Sequence, residues 1–240
     1  MARAAVSVKI RAWDYQPFSS EFDERSIVAT TNLTRAECAE RAELLTVHHY
    51  EVQLDLTAVK TSSTFVSTTT VTFEARPGAS TFIDLIAPDL VSATLNGTAI
   101  DGSHFDGTRL QLEGLAETNT LVVVAHCAYS NTGEGLHKFT DPADGEIYLY
   151  SQFEIADARQ VFACFDQPSL KATYRFTVDA PAHWRVFSNT YADISVNGDN
   201  ARHAFAATKR MSTYITAVVA GPYYGVTDSY TGKFGTYPLG

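Results

Sequence analysis

The segment YLYSQFEIADARQVFACFDQP, residues 148–168, holds the polar side chains with the clearest chemical potential. Residues Ile147 to Glu154 alternate as a strand would. Ile147, Leu149 and Phe153 fall on one face with Ser151 among them, and Tyr148, Tyr150, Gln152 and Glu154 fall on the other. That second face sets aromatic surface beside an amide and a carboxylate at one end. Such a face suits an amphipathic ligand that offers an ammonium group and an apolar side chain. Alternation alone also fits a strand end at which Gln152 and Glu154 simply meet solvent. Downstream, Asp157 and Arg159 are spaced for a local ion pair, and Asp166-Gln167-Pro168 has turn chemistry. The apolar run Val161 to Phe165 between them predicts a buried, irregular crossing of structural purpose.

Other catalytic templates are missing. None of the seven histidines (His48, His49, His104, His126, His137, His183, His203) has a Glu after it or a second His four positions on, so no HExxH zinc helix is present. His48 and His49 are adjacent, and adjacent strand residues point to opposite faces, which argues against a metal pair. There is no GxSxG elbow, P-loop or GxGxxG; Gly133-Glu134-Gly135 reads as a turn. Cys38, Cys127 and Cys164 form no CxxC pair and no zinc-ribbon spacing. Three buried apolar thiols in a reducing, cytoplasmic setting is the reading that follows.

The elements that must position these residues are mostly strands. Thr34-Arg35-Ala36-Glu37 fits a capping box and opens one short helix running to Leu45. The period then switches to two at Tyr50, Val52, Leu54 and Leu56. Strands are predicted at Phe65–Phe73, Thr81–Ile86, Val91–Leu95, Leu110–Leu112, Leu121–Tyr129, Ile147–Glu154, Tyr174–Val178, Trp184–Ser188, Ala204–Ala207 and Met211–Ala220. Asn96-Gly97 marks a hairpin, with Ile100 on the return strand. Leu121–Tyr129 reads as buried on both faces. About a dozen short strands and one short N-terminal helix predict an all-β, antiparallel β-sandwich. Residues 1–30 follow no period and are read as an extension of uncertain order, with 31–240 as the β domain.

Composition narrows the partners. The 240 residues are 45% hydrophobic and 19% charged, the mix of a globular core with a modest charged shell. The net charge is −9, and the first thirty residues balance to zero, so the whole excess falls on 31–240. An acidic body is repelled by phosphate backbones, which disfavours nucleic acid. The longest apolar runs, Leu121–Ala125 and Val161–Phe165, are five residues each, far short of the ~20 a membrane helix needs. No membrane partner and no secretory leader are expected.

Three stretches together carry a resemblance. GEGLHKFTDPADGEIYLYSQFEIADARQVFACFDQPSLKATYRFTVDAP, LTRAECAERAELLTVHHYEVQLDLT upstream and STYITAVVAGPYY downstream resemble the N-terminal domain of the aminopeptidase N family of zinc metallopeptidases, in its bacterial, cytoplasmic branch. The resemblance covers roughly residues 32–240 and implies a saddle-like β-sandwich. In that family a thermolysin-like domain follows, with GxMEN for the substrate amino terminus and HExxH plus a third Glu for zinc. None of those motifs occurs here. The resemblance therefore implies a domain without its catalytic partner, with no cofactor of its own and inactive alone. The family's zinc belongs to the absent catalytic domain. Gln152 and Glu154 fall on the family's QxE motif. By resemblance Glu154 holds the free α-amino group of a peptide and Gln152 lines the subsite of its first side chain. The implied partners are a peptide N-terminus and the catalytic domain, and an uncovered docking face would favour self-association. A non-catalytic protein-interaction module from the same family is the alternative, and a generic carbohydrate- or ligand-binding sandwich ranks below both.

Overall fold

The computed structural model describes residues 32–226, 228–233 and 235–239. The expected extension at 1–30 lies outside the described residues. One α-helix, α1 (Arg35–Leu44), precedes sixteen strands. The first eight are β1 (Leu45–Asp55), β2 (Thr64–Ala75), β3 (Thr81–Asp84), β4 (Asp89–Leu95), β5 (Thr98–Ala99), β6 (Arg109–Leu112), β7 (Thr118–Ala128) and β8 (Gly135–Thr140). The rest are β9 (Ile147–Gln152), β10 (Thr173–Pro181), β11 (Arg185–Ser188), β12 (Ala192–Asn197), β13 (Asn200–Phe205), β14 (Val218–Gly221), β15 (Asp228–Gly232) and β16 (Gly235–Leu239).

The architecture is the all-β sandwich with one short helix that the pattern predicts. A large sheet runs β12-β13-β10-β1-β2-β7-β4-β5, and a smaller one runs β11-β14-β9-β8. Two-stranded sheets pair β3 with β6 and β15 with β16. Between the named strands the pairing is antiparallel except where β1 runs parallel to β10, and an isolated parallel bridge joins Ser130 to His137. The β1–β10 pair needs a long crossover, since parallel neighbours cannot be joined by a hairpin.

Alternation sets the inward face. On β1 Leu45, Val47, Tyr50, Val52 and Leu54 are buried, and on β7 Leu121, Val123, Ala125 and Cys127. The reading of β7 as buried on both faces is corrected: Val122, Val124 and His126 are only half-buried, because no element among the described residues layers over the outer face of the large sheet there. A bulge between Val47 and His49 shifts the register of β1, so Val47 and Tyr50, three apart, are both buried. The two histidines therefore do not follow strict alternation. His48 meets Glu74 at 3.2 Å, and His49 bridges Thr173 and Glu51 at 2.7 and 2.8 Å.

The Met211–Ala220 strand is also corrected. Met211 makes an isolated bridge to Ala172, a 3-10 turn occupies Thr213–Ile215, and regular pairing resumes at β14. The Thr216 hydroxyl bonds locally to the Thr213 carbonyl at 2.7 Å, a competition that interrupts ladders, while the Thr213 hydroxyl reaches Asp166 Oδ1 at 2.6 Å. Hairpin chemistry at Asn96-Gly97 holds, with φ of 52° and 81° as a type I′ turn requires. Of the cysteines, Cys127 and Cys164 are buried, and burial pushes the Cys127 thiol up to about 12. Cys38 is only half-buried, since it sits on a helix that presents little of its surface to the core.

Helix α1 has the predicted capping box, with Thr34 and Glu37 bonded reciprocally. It buries only Arg41 and Leu44, so charge rather than an apolar stripe docks it. Arg41 Nη1 donates to Asp84 Oδ2 at 2.8 Å, with both side chains buried, and Arg41 Nε donates to Gln167 Oε1 at 3.2 Å. The guanidinium also lies 4.9 Å from the centroid of Phe82. Arg109 lies over the same ring at 4.1 Å and pairs with Glu37 at 2.8 Å.

The crossing from β9 to β10 threads the core as predicted, with Val161 to Phe165 all buried. Phe162 makes edge contacts with Tyr50, Phe153, Tyr174 and Phe176 at 5.6 to 6.4 Å. Buried irregular backbone must find partners. The Cys164 and Asp84 backbones exchange hydrogen bonds at 3.0 Å, the Phe165 N–H donates to the Tyr50 hydroxyl, and the Asp166 N–H donates to Asp84 Oδ2. Asp166, read from sequence as a turn residue, is instead buried. It accepts from the Arg159 N–H and the Thr213 hydroxyl.

Two outcomes follow. Arg41→Ala should cost about 3–5 kcal/mol in equilibrium urea denaturation, because it leaves the buried Asp84 carboxylate uncompensated. Burial pushes the Asp166 carboxyl up to about 6 from 3.8, so its folded form holds a proton that the unfolded chain releases. Its penalty is full above pH 6 and relieved as pH falls towards 4. Glu37 has the opposite sign: the Thr34 N–H and Arg109 lower it to about 2 from 4.5, so its contribution is lost as pH falls from 4.5 towards 2. Stability measured against pH should rise as pH falls from about 6 towards 4.5 and decline below about 4, and Asp166→Asn should flatten the upper limb.

Candidate functional site

The smaller sheet builds the site. Cross-strand register places Phe187, Val219, Tyr150 and His137 in one row across all four strands. Phe187 is 50% exposed and Tyr150 41%, so this row is an open surface. His137 packs on Tyr150 with ring centroids 4.8 Å apart. A second row sets Tyr148 opposite Phe139, with Tyr223 edge-on to Tyr148 at 5.0 Å. The Tyr148 hydroxyl donates to Asp144 Oδ2 at 2.7 Å, a bond that pushes its pKa up to about 12 and keeps the ring neutral. The sequence identified Tyr148 and Tyr150. It missed His137, Phe139, Phe187 and Val219, because nothing local says which strands will lie beside β9.

The paired site residues sit differently from the strand expectation. Gln152 is the last residue of β9, opposite Gly135 of β8. Glu154 lies beyond the strand, in the turn at 154–157. The predicted strand to Glu154 is thus two residues too long, and the reason is local. Gln152 Oε1 accepts the Glu154 N–H at 2.9 Å, a side-chain bond in place of a ladder bond. Exposure still alternates through the junction, with Gln152 and Glu154 exposed and Phe153 buried between them. Among the described residues Glu154 has no ion-pair partner.

The turn is braced from behind. The Asp157 N–H donates to the Phe153 carbonyl at 3.2 Å, and the Gln160 N–H donates to that of Asp157 at 3.1 Å. Gln160 Nε2 donates to Asp157 Oδ1 at 2.7 Å. This replaces the predicted Asp157–Arg159 pair, for Arg159 turns inward and is buried beside Asp166. Gln160 also packs beneath Gly135, where a Cβ would lie 3.1 Å from its Cβ and Oε1. A small cavity lined by Leu33, Cys38, Ile155, Ala156, Arg159 and Pro168, among others, adjoins the turn.

This arrangement can offer a charged acceptor beside an amide, at the end of an aromatic floor. Among the described residues no group of three or more His, Cys, Asp or Glu could hold a metal ion. Nor is any helix among them long and apolar enough to cross a membrane.

Comparison with known proteins places the chain. The model of the peptidase M1 N-terminal domain matches residues 30–215. Aminopeptidase N of Streptomyces lividans is 50% identical over 213 residues, which are 88% of this chain and 24% of that protein. Probable M1 family aminopeptidase 1 of Encephalitozoon cuniculi is 41% identical over 103 residues, 42% of this chain and 12% of its own. Aminopeptidase N of Acetobacter pasteurianus is 34% identical over 119 residues, 48% and 34% respectively. The chain thus spans about a quarter of the Streptomyces relative.

The bracing gives a direct outcome. Gly135 has φ of +62° and a Cβ there would press on Gln160 at 3.1 Å, so Gly135→Ala should lower stability by about 1–3 kcal/mol. Thermal denaturation checks it, and Gly133→Ala, with open space around its Cβ position, separates the positive-φ cost from the clash with Gln160.

Proposed function

Because the chain belongs to the peptidase M1 N-terminal domain family, we propose that it is the substrate-anchoring and scaffold domain of a zinc-dependent aminopeptidase that removes N-terminal residues from peptides. The observation that carries this reading is the exposed Glu154 carboxylate, without an ion-pair partner among the described residues, at the end of the Tyr148–Tyr150–Gln152 face. An ammonium group needs a charged acceptor, and a charge-assisted bond in a sheltered site is about twice as strong as a neutral one. Gln152 faces the first side chain of the peptide, and the Tyr150 ring gives that side chain an apolar floor.

On this reading the aromatic rows of the smaller sheet are the docking face for the catalytic domain. Phe139 is 47% exposed, close to Tyr150 and Phe187, and an apolar patch of that kind marks an interaction surface. Docking there would also remove water from Glu154. Zinc has no place in this reading among the described residues, whose donors are too scattered to hold it. The catalytic steps belong to the second domain, so the chain alone is inactive. Its three thiols are free, which supports a reducing, cytoplasmic setting.

In the full-length aminopeptidase carrying this domain, Glu154→Ala should lower kcat/KM about 30- to 1000-fold, or ~2–4 kcal/mol. In the present chain the same change should move stability by no more than about 0.5 kcal/mol, because the carboxylate abandons no buried partner. A large stability loss here would make Glu154 a structural residue and withdraw the anchoring role. Metal analysis after dialysis should find no stoichiometric zinc; near one equivalent per chain would overturn the assignment of zinc to the other domain.

A further inference from the structure

Among the described residues strand β12 ends the large sheet and pairs only with β13, from Ala192 opposite Phe205 to Asn197 opposite Asn200. The two strands are joined by Gly198-Asp199, with φ of +61° at Gly198, a two-residue hairpin whose closing pair is hydrogen-bonded. Counting back from that pair, Asn197, Ser195 and Asp193 turn their backbone groups to β13. Val196, Ile194 and Ala192 turn theirs outward, to the open edge.

The side chains make this edge unusual. Ile194 lies opposite His203 and Val196 opposite Ala201, and both of those β13 residues are buried on the core side. Yet Ile194 is 62% exposed and Val196 68%. The core-facing side of the sheet therefore runs past its cover. Natural edges are blunted by Lys, Pro or a bulge. β12 has none of these, and its single charge is Asp193.

We infer that β12 is a homotypic docking edge, at which two copies of this chain pair antiparallel about a twofold axis through Ser195. The sequence Ala-Asp-Ile-Ser-Val-Asn is self-complementary in that register. Ile194 meets Val196 of the second copy, and the reverse, so the apolar pairs form twice on one face. Both residues carry outward backbone groups, so each of these pairs is hydrogen-bonded. Ser195 meets its own equivalent, and Asp193 meets Asn197, an acceptor against a donor. The two Asp193 carboxylates then stand four residues apart, about 13 Å, beyond the ~8 Å screening length. Centring on Ile194 instead would halve that distance, and centring on Val196 would set Ile194 against Gly198. Charge and side-chain fit thus select Ser195. One strand pair buries less than the ~1,200 Å² of a standard interface, so the dimer is weak and reversible.

Sedimentation of the full chain from about 10 to about 500 µM, where weak pairs become populated, should show a monomer–dimer equilibrium. Val196→Pro removes an N–H that β13 does not use. It should raise the dimer dissociation constant at least about tenfold, the loss expected for two shared hydrogen bonds, with the circular dichroism spectrum unchanged. At a non-hydrogen-bonded pair the Cα atoms stand about 4.5 Å apart, within disulfide reach. Ser195→Cys should therefore cross-link on mild oxidation, while Asp193→Cys should do so no faster than the parent chain with its half-buried Cys38. A monomer at every concentration would overturn the inference. So would a dimer indifferent to Val196→Pro, which would point to the aromatic face of the smaller sheet, or equal cross-linking by both cysteine variants. Protection of the β12 amides from exchange in a monomer would mean that another segment of the chain holds the edge, and would overturn it equally.

Discussion

An irregular stretch of chain passing through the core is the constraint on which this fold depends. Residues 158–167 cross between the sheets carrying Val161 to Phe165, all buried. Their apolar side chains belong in the core, but their backbone groups do not, unless each finds a partner. Asp84 is the centre of the solution. Its backbone exchanges bonds with Cys164, and its Oδ2 accepts from both Arg41 and the Asp166 N–H. A buried carboxylate needs a cation, and Arg41 supplies one from α1. The helix is thus held to the sandwich by the electrostatic needs of a loop. That explains why it can dock with so little apolar surface of its own.

The crossing also fixes the candidate site. It enters from the turn at 154–157, so whatever locks residues 158–167 locks that turn from one end. The other end is β9, closed by the bond from Gln152 to the Glu154 N–H. Between them Gln160 holds Asp157 and fills the space under Gly135. Glu154 is therefore exposed in its side chain but well supported in its backbone. Phe153, its neighbour, is buried and touches Phe162 at the middle of the crossing.

Much of this was legible wherever one period governed a long segment. The alternation from Tyr50 to Leu56 and the Thr-rich run at Phe65–Phe73 named β1 and β2, the capping box opened α1, and Asn96-Gly97 turned the chain between β4 and β5. The failures lie where a distant partner decides. β12 alternates Ala192, Ile194 and Val196 with Asp193, Ser195 and Asn197, yet only Ala192 is even half-buried, because its place at the sheet edge is set by pairing with β13. The bulge at His48 is set by register against β2. Asp166 looks like a turn residue until Thr213, 47 positions away, reaches its carboxylate. The end of β9 was misjudged because a side chain, Gln152, took over one backbone bond. The site residues themselves were legible from the resemblance in sequence, whereas the row beside them emerged only from strand order.

Exposure and the proposed anchoring role pull in opposite directions at Glu154. An ammonium held by a solvated carboxylate gains only ~0–1 kcal/mol, too little to orient a peptide. The same contact strengthens several-fold once water is excluded and the local dielectric falls. Short of Glu154, β9 carries Tyr148, Tyr150 and Gln152 on one face, with Phe187 in the same cross-strand row as Tyr150. A second surface that covered that face would bury apolar area and, by the same movement, dry the carboxylate beyond its end. Docking and anchoring are then one physical event. On the proposed reading, that coupling would account for a carboxylate with no ion-pair partner among the described residues at the rim of an apolar face.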